Sequence, residues 1–269
     1  MIFDDFLQRW NLTPDGDSIV TPTSRLLPVC QGDQPAMLKV ATEPEEARGG
    51  ALMVWWDGDG AARVLAHDGP ALLLERATGT RSLITMSTSG QDDEATGIIC
   101  AVVARLHARR NSPPAGLVPL EEWFRALWPA ARAHGGILRD SAATARTLLA
   151  DQRDVSVLHG DIHHGNILDF GSRGWLAIDP KGLFGERGFD YANTFCNPEQ
   201  DVGTLRERIR RRSEIIATGA RLDQGRLLQW VLAYAGLSAA WFLGGWGDVE
   251  SATLPLRIAE IAAAELGHF

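Results

Sequence analysis

The stretch Val157–Lys181, VLHGDIHHGNILDFGSRGWLAIDPK, carries short apolar runs with polar residues placed between and after them. The first run ends at His159-Gly160-Asp161, Asn166 follows Asp161 by five positions, and the later run Trp175 to Ile178 ends at Asp179. Short apolar runs bounded by glycine and polar clusters read as strands. Asp161 therefore falls in a loop behind one strand and Asp179 at the end of another, with Gly182 allowing a sharp turn just beyond. Phosphoryl transfer asks for such a set: one carboxylate orients the attacking hydroxyl, and oxygen ligands hold magnesium against the phosphates. On this spacing Asp161 is the candidate base, and Asn166 and Asp179 are the candidate magnesium ligands.

Working outward, the phosphates also need a cation. Lys39 lies in the apolar segment Met37-Leu38-Lys39-Val40, and a lysine in a buried-looking strand is costly unless paired. Glu46 is the best partner, with Glu45 the alternative. The surrounding segments Ser18 to Val20, Leu26 to Cys30, Ala36 to Ala41, Ala62 to Ala66 and Ala71 to Glu75 predict a five-stranded sheet. A helix over Pro44 to Trp56 is inserted after the third strand, and the small-residue loop Thr21-Pro22-Thr23-Ser24 is placed to cover a phosphate.

Beyond residue 90 the apolar period becomes helical. Helices are predicted over Asp93 to Arg109, Asp140 to Ala150, Leu205 to Ala217, Leu227 to Leu243 and Leu254 to Leu266. A further stripe, Leu120 to Trp128, is kinked or stopped at Pro129. The Trp-rich stripe of the Leu227 helix reads as core packing. The fold class is α+β, with a small sheet lobe over residues 1–77 and a larger helical lobe over 78–269 meeting at a cleft.

Composition narrows the partners. Lys and Arg total 26 against 34 Asp and Glu, and the net charge of −8 argues against nucleic acid and suits a cationic small molecule. Three scattered cysteines predict no disulfide framework, and no basic leader or long apolar run points to export or a membrane. A cytoplasmic monomer is expected. His159, Asp161, His163 and His164 admit a second reading, a metallohydrolase centre, but no other histidine-rich cluster completes it, and His159 is expected to brace the loop.

VLHGDIHHGNIL and WLAIDPKGLFGERGFDYAN, with LPVCQGDQPAMLKVA, WWDGDGAARVLA, GQDDEA and WVLAYAGLSAAWFLG, resemble the aminoglycoside phosphotransferases, within them the streptomycin 6-phosphotransferase and hydroxyurea resistance group. The resemblance implies a bilobal protein-kinase-like fold and transfer of the γ-phosphate of ATP, with Mg2+, to a small-molecule hydroxyl, the streptidine 6-hydroxyl in streptomycin. It also implies an adenine-contacting hinge at Glu75-Arg76-Ala77 and a phosphate contact at Ser24, since no GxGxxG loop is present. Glu186, Asp190 and Glu199 are candidate carboxylates for a cationic aminoglycoside, with a local bracing role the other reading for Asp190. A kinase of another small hydroxylated metabolite on the same fold is the first alternative, since a fold does not fix its substrate. A nucleotide-binding pseudokinase is the remaining alternative, opposed by the intact set Lys39, Asp161, Asn166 and Asp179.

Overall fold

The computed structural model describes residues 2–43, 45–110, 112–198, 205–246 and 249–267. Six strands form the first sheet: β1 (Leu12–Pro14), β2 (Ile19–Val20), β3 (Ser24–Gln31), β4 (Gln34–Ala41), β5 (Val64–Asp68) and β6 (Ala71–Glu75). Their order is β1-β3-β4-β6-β5, all neighbours antiparallel, with β2 also paired to β3. The sixth strand, β1, hides in what reads as a turn, because it includes Pro14. At a sheet edge the missing proline N–H removes no necessary ladder bond.

A short helix, α1 (Asp4–Arg9), precedes the sheet, and Phe6 with Trp10 covers a core of Leu12, Val29, Leu38 and Leu73. Six residues are too few for a periodic signal, so the sequence alone shows only a polar lead. In β4 the buried residues are Ala36, Leu38 and Val40, and the two-residue period turns Met37 and Lys39 to the opposite face. Helix α2 (Glu45–Trp56) then packs Leu52, Met53 and Trp56 into the core shared with the helical lobe.

That lobe runs α3 (Leu83–Thr88), α4 (Asp92–Leu106), β7 (Val118–Pro119), α5 (Leu120–Trp123), α6 (Leu127–His134) and α7 (Gly136–Ala150). Next come β8 (Val155–Leu158), β9 (Ile167–Asp169), β10 (Trp175–Ala177) and β11 (Leu183–Glu186), then α8 (Leu205–Ala220), α9 (Gln224–Trp241) and α10 (Thr253–Glu265). Pro129 does not stop its helix, since α6 runs through it to His134. Its ring crowds the carbonyl of Arg125 four residues back, and the break falls there, as a 3-10 turn over Phe124–Ala126.

Helix α9 divides the lobe's interior. Leu227 and Val231 belong to one core, Trp230, Tyr234 and Leu237 to another with Phe124 and Phe189. Its span to Gly245 is apolar and long enough to cross a membrane, yet 72% of that window is buried inside the protein. All-round apolarity is what a central core helix requires. Beside it, β8 and β11 pair antiparallel, β11 and β7 pair parallel, and β9 and β10 form a hairpin. The stretch from Val157 to Lys181 thus threads a loop, a hairpin and a turn along the edge that faces the sheet lobe.

Candidate active site

The loop after β8 is held from beneath. Gly160 has φ +85, and a Cβ there would lie 2.6 Å from Leu183 Cγ, so only glycine fits. The backbone N–H groups of His159 and Gly160 donate to the Asp190 carboxylate at 2.9 and 2.7 Å. The buried His159 ring donates from Nε2 to the Ile178 carbonyl at 2.8 Å and accepts the Asp161 N–H on Nδ1 at 3.2 Å. Burial holds the His159 pKa below its ordinary value despite nearby Asp190 and Asp161, so the ring is a neutral brace.

The Asp161 carboxylate is oriented by two amides. Asn193 Nδ2 donates to Oδ1 at 2.8 Å, and Asn166 Nδ2 donates to Oδ2 at 3.2 Å and to the Asp161 carbonyl at 2.9 Å. With its nitrogen so used, Asn166 Oδ1 accepts no hydrogen bond from a described residue. Asp179, two residues past β10, sits in the left-handed region at φ +60, a conformation costing about 1–3 kcal/mol for a residue with a side chain. Its Oδ1 pairs with Lys39, and its Oδ2 lies 3.4 Å from Lys181 Nζ. Burial would raise its pKa, but the charges of Lys39 and Lys181 bring it down to about 2.

Lys39 also pairs with the buried Glu46, which accepts a hydrogen bond from Thr23 Oγ1 at 2.8 Å. The side chain of the alternative partner, Glu45, and Pro44 lie outside the described residues. Sequence reasoning passed over Lys181. Its Nζ stands 3.4 Å from Asp179, 3.8 Å from Glu46 and 3.9 Å from Asp161, and these carboxylates raise its pKa against the opposing effect of burial. The available signal was a lysine two residues after the strand-end aspartate.

One cavity of about 670 Å³ takes its walls from both lobes. On the sheet side are Leu26, Met37, Leu74 and the Glu75-Arg76-Ala77 segment that ends β6; on the helical side are Asp161, Asn166, Asp179 and Lys181. The Glu75 carboxylate is already engaged by Arg173 and by the Arg63 N–H at 2.6 Å, which leaves backbone for a ligand at this segment. Ser24 borders the cavity, but its N–H donates to Thr21 Oγ1 at 3.0 Å and its hydroxyl lies 2.9 Å from the same atom. The Ser24 N–H and hydroxyl are thus both engaged with Thr21 inside the turn. The free amide oxygen of Asn166 and the Asp179 carboxylate are hard oxygen donors of the kind magnesium takes. A histidine centre does not fit, because both His159 nitrogens are bonded and His164 Nε2 lies 3.2 Å from buried Arg212. No group of three or more His, Cys, Asp or Glu is arranged to hold a metal among the described residues.

A family model described as aminoglycoside/hydroxyurea antibiotic resistance kinase matches residues 9–245. The chain belongs to that family. A streptomycin 3''-kinase from Klebsiella pneumoniae is 50% identical over 262 residues, covering 95% of this chain and 98% of that protein. A streptomycin 6-kinase from Streptomyces griseus is 30% identical over 285 residues, covering 96% and 86%. An aminoglycoside phosphotransferase solved as a ternary complex with AMP-PNP and hygromycin B superposes with a TM-score of 0.67 at 14% identity, covering 99% of each chain. The fold of this resistance-kinase family member is accordingly bilobal and protein-kinase-like.

Two of its expected substrate carboxylates are elsewhere. Glu186 is 3% exposed, and Arg226, the Trp230 indole and the Arg153 N–H occupy its oxygens. Asp190, 1% exposed, holds the catalytic-type loop and pairs with His107 Nε2 at 2.8 Å, the bracing alternative. Neither faces the cavity, because each satisfies buried donors that would otherwise be orphaned. Glu199 lies outside the described residues.

Proposed function

We propose that this family member transfers the γ-phosphate of ATP to a hydroxyl of streptomycin. The observation that carries the reading is the convergence of Asp161, Asn166, Asp179, Lys39 and Lys181 on one cavity. The names of the streptomycin-kinase relatives supply the substrate, and the AMP-PNP complex of the structural neighbour supports a nucleotide donor.

In this reading Asp161 accepts the proton of the attacking hydroxyl, with Asn193 and Asn166 fixing the carboxylate's direction. Lys39, braced by Glu46, and Lys181 place positive charge at the polyphosphate. Asn166 and Asp179 would hold Mg2+, which neutralises charge on the phosphates. The apolar wall of Leu26, Met37 and Leu74 suits an adenine ring, with hydrogen bonds from backbone of residues 75–77.

Two hydroxyls compete. The sequence resemblance and the relative at 30% identity point to position 6, and the relative at 50% identity points to position 3''. The larger identity favours 3''. Incubation of the purified protein with ATP, Mg2+ and streptomycin should give a product heavier by one phosphate, and phosphorus–proton coupling in its NMR spectrum assigns the ring. Hydroxyurea is the second acceptor to test, because the family description names it. Absence of product with every aminoglycoside offered, alongside turnover of hydroxyurea, overturns the streptomycin reading.

A further inference from the structure

The cavity poses a question of charge. A cationic acceptor should find carboxylates, yet the acids among its described lining residues are Glu75, Asp161 and Asp179 alone. Glu75 is neutralised by Arg173, and Asp179 by Lys39 and Lys181. Asp161 is left for the reacting hydroxyl.

The helical wall of the cavity also carries aromatic rings. Trp123 from α5 and Tyr234 and Trp241 from α9 all line the cavity. Tyr234 and Trp241 are seven residues apart, two helical turns, and so project from one face of α9. Trp241 meets Trp123 edge to face at 5.6 Å between ring centroids and Tyr234 at 6.2 Å. The Tyr234 hydroxyl makes no hydrogen bond with a described residue. Burial raises its pKa, and the charge of Asp161 adds to that shift, as proximity of the two groups requires. Indole and phenol rings present negative faces to a cation, and a planar, weakly hydrated guanidinium stacks on them better than an ammonium does.

We infer that Trp123, Tyr234 and Trp241 form the seat for a guanidinium-bearing ring of the acceptor, held by cation–π contact with its hydroxyl toward Asp161. The inference rests on the proposed cationic acceptor and adds how that acceptor is recognised: by aromatic faces in place of ion pairs. Specificity follows from shape and charge together, since an uncharged ring of the same outline loses the cation–π attraction and keeps only the apolar contact.

The test is intrinsic tryptophan fluorescence, without ATP, during titration with a cyclitol bearing two guanidinium groups and, separately, with the uncharged cyclitol. The cationic ring should quench saturably and the uncharged ring should not. Trp241→Leu and Trp123→Leu should each weaken cation binding by about 3- to 30-fold, and Trp241→Phe by less than either. AMP-PNP affinity, followed in parallel, reports whether each variant is folded. Equal affinity for the uncharged ring, or unweakened binding by folded Leu variants, overturns the inference. Should the Leu variants lose AMP-PNP binding and hence their fold, the comparison of charged with uncharged ring on the native protein decides alone. Cation binding that depends on Trp241 without any phosphorylation of streptomycin would retain the seat and refute the proposed reaction.

Discussion

Lys181 and Lys39 both contact Asp179, and Lys181 stands within 4 Å of Asp161 and Glu46 as well. In such a cluster every lysine–carboxylate contact competes with a lysine–phosphate contact. A polyphosphate entering the cavity would draw both ammonium groups, releasing Asp179 toward a metal. Lys181→Met should therefore lower kcat by about 10²- to 10³-fold, the usual cost of removing one preorganised donor from a developing charge. Lys181→Arg should recover part of that loss, because it restores charge with different geometry. Steady-state kinetics with both substrates varied checks this, and a Met variant with native kcat would exclude Lys181 from the reaction. Asp161→Asn keeps the side chain's size but removes the proton acceptor, and its one oxygen can accept from only one of the two amides, Asn193 or Asn166. Its turnover should fall by at least about 10²- to 10⁴-fold with AMP-PNP affinity retained, and native turnover would reassign the base.

The elements around these residues are coupled at close quarters. A Cβ on Gly49 of α2 would lie 2.2 Å from the Pro180 carbonyl, so α2, which carries Glu46, packs directly on the turn between Asp179 and Lys181. Gly49→Ala must push the two apart. An overpacking cost of about 1–3 kcal/mol is expected in urea unfolding, together with a raised KM for ATP because Glu46, the partner of Lys39, rides on the displaced helix. Stability loss with an unchanged nucleotide KM would show that α2 and the turn move independently. Such contacts mark the limit of what the sequence discloses. Asp161, Asn166, Asp179 and the Lys39–Glu46 pair were legible because strand ends and one lysine inside an apolar strand leave local patterns. The work of Asp190 was visible only as an alternative, since its partners are backbone N–H groups about 30 residues away. Glu186 looked available for substrate because Arg226, 40 residues distant, is invisible to any local pattern. Tyr234 and Trp241 lie on the helix whose apolar stripe reads as core, and periodicity reports that a helix is covered without saying whether protein or ligand covers each face.

At the scale of the whole molecule, the catalytic-type loop is tied to the helical lobe through Arg212. This buried guanidinium from α8 binds Asp92 and the Thr194 carbonyl, and donates to Ser87 Oγ at 2.9 Å, the Asn197 carbonyl at 2.6 Å and His164 Nε2 at 3.2 Å. His164 must stay neutral to accept that bond. Burial first, then the positive charge of Arg212, brings its pKa down to about 3, with Asp92 opposing and His163 and Arg208 adding to the shift. The unfolded chain, with an ordinary histidine pKa near 6.5, therefore binds more protons throughout the interval between these values. Stability from this group is complete above about pH 6.5 and declines as pH falls toward 3. Between pH 6.5 and 5 the loss is about 2 kcal/mol, or roughly 4–8 °C in Tm for a chain of this size. His164→Gln offers Arg212 a non-titrating amide oxygen. Its melting temperature should fall less than that of the native protein over the same interval, while the buried His159, shifted in the same direction, preserves a residual slope in both. Thermal melts at pH 7, 6 and 5 measure the difference, and parallel slopes in the two proteins would remove His164 from the acid sensitivity of the fold.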